Sequence, residues 1–132
     1  MRLWHQSLIP FLPRQQLLGQ HRELAALRGA GWGRKHSVVN YVFAHSPSLL
    51  VAYHYLVMNE MERRGYHPDP TWRNINYRGK TLGTQENWCD QKEVDKMRQA
   101  DPIYPEHNDE YLHECLDNLR GKGIEIKIKE LN

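Results

Sequence analysis

Apolar positions along the chain predict helices separated by irregular, Pro- and Gly-rich connections. The first helix is predicted to open at Pro13, a residue suited to a first helical turn, and to run through "RQQLLGQHRELAALR" until "GAGWG" stops it; Leu17, Leu24 and Leu27 form its apolar stripe. After Gly33, "RKHSVVNYVFAH" places Val38, Val42 and Phe43 at helical spacing, although its β-branched residues lean toward strand. The clearest pattern is "HSPSLLVAYHYLVMNEMERRG". Ser46 suits an N-cap, Pro47 the first turn and Gly65 the stop, with Leu49, Leu50, Tyr53, Leu56, Val57 and Met61 facing a core. From His67 to Pro105 the periodicity weakens: "HPDPTWRNINYRGKTLG" reads as a long loop and "QKEVDKMRQA" as a short helix. A last helix is predicted to open at Pro105, with acids in its first turns, a stripe of Tyr111, Leu112, Cys115, Leu116 and Leu119, and an end at Gly121. In the tail, Ile124, Ile126 and Ile128 alternate with a strand period and no evident partner. The expected architecture is all-α: one compact domain over residues 1–132, with three to five helices, a long irregular connection and a short extended C-terminal tail.

Composition narrows the function classes. A chain of 132 residues, 39% apolar and 26% charged, suits one modest core. No window approaches the roughly 18 uninterrupted apolar residues of a membrane span, and "MRLWHQSLIP" lacks the apolar run of a signal peptide. The expectation is a cytoplasmic protein without a membrane partner, monomeric by preference. Cys89 and Cys115 lack CxxC spacing, and the eight histidines lack HExxH or paired His/Cys spacing, so neither a disulfide framework nor a metal or cofactor is expected.

The net charge of +2 conceals an asymmetry. Residues 1–80 hold 11 Lys/Arg against 4 Asp/Glu, whereas the remaining 52 hold 7 against 12. A basic half interleaved with Trp4, Trp32, Trp72 and Tyr77 can attract a phosphate backbone while its aromatics stack on bases; a merely solvated polar surface is the other reading.

Within the first helix, Gly19, Glu23 and Ala26 fall at i, i+4 and i+7 and share a face. An interior glycine costs a helix roughly 1 kcal/mol relative to alanine, so it calls for a reason. Two are available. The small residues admit a second helix or the N-terminal segment at close range, with Glu23 paired to an arginine, or they leave a notch in which a sugar or base reaches one carboxylate.

The same residues carry a family resemblance. "QHREL", followed by "RKH" after a glycine-bearing loop and by a long helix ending in "ERRGY", resembles the endonuclease V type of pyrimidine-dimer DNA glycosylase over roughly residues 1–66, with a weaker echo in "IYPEHNDEYLHECLDNL". The resemblance implies a helical, metal-free enzyme that excises a damaged base from double-stranded DNA and nicks the abasic site. It implies as nucleophile the chain's own α-amine, assisted by the carboxylate of Glu23. Arg2 should block removal of the initiator methionine, which makes Met1 the expected nucleophile. Arg2, Arg22, Arg28, Trp32, Arg34, Lys35 and His36 are the expected DNA contacts. The chain ends in "IEIKIKELN" where the family's type member carries an aromatic, basic segment. An abasic-site lyase without dimer glycosylase activity and a non-catalytic nucleic-acid-binding module are the alternatives.

Overall fold

The computed structural model describes residues 2–33 and 39–127. Among them are four α-helices: α1 (Arg14–Arg28), α2 (Pro47–Arg63), α3 (Gln91–Met97) and α4 (Asp109–Gly121). Short 3₁₀ helices occupy Gln6–Phe11, Asn40–Ala44 and Pro70–Arg73, and the only β-pairing among the described residues is an isolated bridge between Tyr77 and Thr84. The all-α expectation holds.

Helix α2 is the central element because it is apolar around most of its circumference. Ser46 caps it by accepting the Ser48 N–H, and Pro47 occupies the first turn. At the far end Gly65 takes φ +88°, and the Gly65 and Tyr66 N–H groups return to the Glu62 and Met61 carbonyls, satisfying two of the helix's last acceptors. Leu49, Leu50, Ala52, Tyr53, Val57 and Met61 join the main core with residues 3–12, α1 and α4. Val51, Tyr55 and Met58 face the other way, into a smaller core with Ile75, Cys89 and Val94. One helix therefore holds two cores together.

Helix α1 buries Leu17, Leu24 and Leu27 as its periodicity predicts, with Pro13 at the N-cap position rather than inside the first turn. Two polar residues, Gln20 and Arg28, are buried beside the leucines. Past the helix, a Cβ at Gly31 would lie 2.6 Å from the Ala26 carbonyl oxygen, so the chain can fold back over the helix end only with glycine there.

The structure corrects three expectations. The last helix begins at Asp109, because the Asn108 side chain accepts the Tyr111 N–H and caps it there; Pro105 lies in the preceding turn. The predicted helix after Gly33 is a 3₁₀ turn at Asn40–Ala44 with Val42 buried, and Val38 lies outside the described residues. Residues 124–127 form no strand; Ile124 and Ile126 instead pack against the main core, and Ile128 lies outside the described residues. The long connection contains the Pro70–Arg73 turn and is tied to the end of α1 by Arg78, which donates to the Arg28 and Gly29 carbonyls.

Candidate active site

The extended N-terminal segment is held by side chains rather than by a sheet. The Gln20 carboxamide donates to the Arg2 carbonyl at 2.9 Å and accepts the Trp4 N–H at 2.8 Å. Tyr53 donates to the Trp4 carbonyl at 2.5 Å, and Tyr111 donates to the Leu3 carbonyl. Farther along, the Gln6 N–H is received by Nδ1 of His107 at 3.0 Å. That leaves the His107 proton on Nε2, facing the Tyr41 hydroxyl at 2.7 Å. Burial holds His107 down at about 3, so it is a neutral imidazole at physiological pH. Leu3, Leu8 and Leu12 are fully buried below, and the segment is anchored from both sides.

Glu23 stands where this segment meets α1. Its carboxylate accepts from Nε2 of Gln20 at 3.2 Å and stands close enough to the Arg2 backbone N–H to feel its dipole. Partial burial pushes its acidity toward neutral pH; the Arg2 N–H and the charges of Arg22 and Lys122 pull the other way without cancelling the shift. A carboxylate whose hold on a proton is raised by burial is a better proton acceptor than a solvated one.

Gly19 and Ala26 flank it as their spacing predicts. Ala26 is exposed and Gly19 half-exposed. A Cβ built at Gly19 would meet only the tip of the Arg22 guanidinium, at 3.8 Å. Among the described residues no helix or loop is packed against the glycine, so close packing with them is not what it serves. The face is open, with Glu23 at its floor and the exposed Arg22 reaching back across its rim; among the described residues Arg22 makes no ion pair or hydrogen bond. A carboxylate, an available guanidinium and a clear space between them can receive a sugar and an adjoining phosphate.

Residues 1–74 match the family described as pyrimidine dimer DNA glycosylase. The chain belongs to this family. No curated protein and no solved structure matches it. A pyrimidine dimer DNA glycosylase is a DNA repair enzyme acting on DNA, and the matched segment contains the N-terminal residues, Gly19, Glu23, α1 and α2. Tyr111 and His107, which hold Leu3 and Gln6, lie beyond it.

The expected DNA contacts of the glycosylase divide into distinct groups. Arg34, Lys35 and His36 lie outside the described residues, as does the expected nucleophile Met1. Arg22 is accessible. Arg28 is a correction: it is fully buried, and its guanidinium donates to the Trp72 and Asn74 carbonyls at 2.9 and 2.6 Å, with Nη1 3.2 Å from Nδ1 of His54. Burial lowers it to about 10, which leaves it a cation, but one that no phosphate reaches. Arg2 points inward, its guanidinium 5.9 Å from the Tyr111 ring centre and its Nη1 buried. Trp32 is half-buried, edge-on to Phe43 and Trp88, rather than splayed for stacking on a base. Much of the basic excess of residues 1–80 is likewise engaged by the protein's own groups, even where, as at Arg63, the side chain stays exposed. Arg63 and Arg64 clamp Glu60, Arg73 pairs with Glu62, and Arg78 lies over Trp88.

Sequence reasoning missed Gln20, Tyr53, Tyr111 and His107 as residues of the site. Gln20 carried a signal, being a polar residue in the apolar stripe of α1 between Leu17 and Leu24.

Proposed function

We propose that the protein excises the damaged base, most readily of a pyrimidine dimer, through the α-amine of Met1 and then nicks the abasic strand by β-elimination. The observation that carries this reading is the half-buried Glu23 on the open face of α1, tied through the Gln20 amide to the backbone of Arg2. An α-amine has a pKa near 7.7–8.0, so a useful fraction is neutral and nucleophilic at physiological pH. Its lone pair forms the bond to C1′ of the flipped nucleotide as the bond from C1′ to the base breaks, the base leaving with a proton. Opening of the sugar ring places a proton on O4′ and yields a Schiff base. Removal of a C2′ proton then expels the 3′ phosphate, and water releases the amine from the cleaved product. Glu23 as carboxylate stabilises the positive charge developing at C1′ and accepts the C2′ proton. Arg22 holds a phosphate beside the lesion, and Arg34, Lys35 and His36 take the backbone next to it. The protein acts as a monomer on this reading.

Borohydride trapping tests the chemistry, using protein with a free amino terminus and protein acetylated there, on an abasic duplex and on a dimer-containing duplex. Free protein should be trapped on both through its terminal peptide, and acetylated protein on neither. Trapping on the abasic duplex alone would leave a lyase without dimer glycosylase activity. Trapping of acetylated protein at the full rate would reject the α-amine. In the same assay Glu23→Gln should lose roughly 100-fold or more in rate with duplex affinity retained, and a full-rate variant would remove Glu23 from the mechanism.

A further inference from the structure

We infer that Gln20 is a positioning residue that sets the register between the amino terminus and Glu23. The inference rests on the α-amine reading above. Gln20 is 1% exposed, and its carboxamide makes four hydrogen bonds. Oε1 accepts from the Trp4 N–H at 2.8 Å and from the Tyr53 hydroxyl at 3.2 Å, while Nε2 donates to the Arg2 carbonyl at 2.9 Å and to Oε2 of Glu23 at 3.2 Å. Two acceptors lie on one side and a backbone donor on the other, so only one orientation of the amide satisfies all its partners.

Bonding the carbonyl of one residue and the N–H of the residue two farther on is what a residue of a neighbouring parallel strand does. Gln20 performs that role alone for residues 2–4, with a side chain projecting from a helix. A slip of the segment by one residue would break both bonds, so the amide fixes which residue lies beside Glu23. The remaining N–H of the same rigid plane goes to the carboxylate. The segment that ends in the nucleophile and the group that exchanges protons with the substrate are therefore placed by one planar group.

A purely structural amide would support folding and leave the chemistry alone; a positioning amide governs rate and the protonation of Glu23. Gln20→Met keeps the length and apolar contacts but loses all four bonds. Gln20→Glu keeps the two acceptor bonds, loses both donors and sets a second carboxyl beside Glu23. Single-turnover trapping on a saturating abasic duplex is followed from pH 5 to 9, with duplex affinity and thermal unfolding measured on the same preparations. Both variants should lose about 100-fold in rate per folded molecule, the scale of a misplacement near 1 Å, with affinity within about two-fold of the parent. The acid limb of the rate profile should move to higher pH, because Glu23 has lost a donor. Tyr53→Phe removes the hydroxyl that the amide shares with the Trp4 carbonyl and spares the donor to Glu23, so its acid limb should remain in place whatever its rate.

Parental rates and an unshifted acid limb in Gln20→Glu would overturn the inference, as would an acid limb that moves equally in Tyr53→Phe. Should Gln20→Met fail to fold, Gln20→Glu and Tyr53→Phe decide the question. The parent protein separates this failure from that of the underlying reading: a parental adduct on an internal lysine ends both, whereas a parental adduct on the terminal peptide with unaffected Gln20 variants ends only the role of Gln20.

Discussion

Helix α1 buries two polar side chains eight residues apart, Gln20 and Arg28, and they organise opposite parts of the molecule. Gln20 is neutral and holds residues 2–4 and Glu23 beside an open face. Arg28 is a desolvated cation that gathers the Trp72 and Asn74 carbonyls and His54, with its Nε left unpartnered. The first arrangement ends at a carboxylate accessible to a ligand, and the second ends in protein on every side. Charge on the sequence thus pointed to the wrong end of the helix. An arginine binds DNA only if its guanidinium is unoccupied, and the carbonyls of a long loop occupy Arg28 as fully as phosphates would.

Separate substitutions at the two ends should dissociate stability from activity. Arg28→Met is expected to have the largest effect, on folding: two partly buried carbonyls lose their donors and the buried His54 its neighbour, for a total of about 3 kcal/mol and a fall in melting temperature of about 10 °C. Strand nicking per folded molecule should survive. Calorimetry and single-turnover nicking on one preparation check both halves, and an unchanged melting temperature with weakened DNA binding would return Arg28 to the interface.

Gly19→Leu should do the reverse. Leucine is the better helix former, and the space at Gly19 is open, so the melting temperature should hold or rise. A branched side chain one turn from Glu23 displaces the sugar, and nicking should fall roughly 100-fold. A destabilised variant with normal nicking would mean that the open face is not where substrate enters.

The smallest effect concerns pH. Each end includes a buried neutral histidine: His107 receives Gln6 near the amino terminus, and His54 faces Arg28. Burial holds His107 at about 3 and His54 well below its ordinary value of 6.5. Below pH 6.5 the unfolded chain therefore binds protons that the folded chain refuses. Stability contributed by each is fully present above 6.5 and is lost as pH falls from there toward the folded value, by about 1.4 kcal/mol per histidine at pH 5.5. Urea unfolding at pH 7.5 and 5.5 should show this loss, and His107→Gln should lessen it by one histidine's share. The raised Glu23 acts in the opposite sense.

What was legible in the sequence was what local chemistry determines. Ser46, Pro47 and Gly65 mark the limits of α2 within a few residues of chain, and Leu17, Leu24 and Leu27 mark the inner face of α1. The face with Gly19, Glu23 and Ala26 was legible for the same reason, since helical spacing alone places the three together. The start of α4 was misplaced because Pro105 suits a first helical turn, whereas the helix begins where Asn108 caps it. The roles of Gln20 and Arg28 depend on partners 16 to 46 residues away, which no pattern within a helix reveals.

The order in which the chain is synthesised gives the N-terminal anchorage a further consequence. Residues 3 and 6 are made before α1 and α2, yet they are fastened by Tyr111 and His107, more than 100 residues later. Contacts of such separation close a very long loop and form late, once the intervening helices have brought the two ends together. A nascent chain that has already emitted α1 and α2 still lacks half the anchors of its amino terminus. Residues 2–6 are thus among the last parts of the chain to be fixed, and their anchorage is complete only when Tyr111 of α4 and His107 just before it have docked.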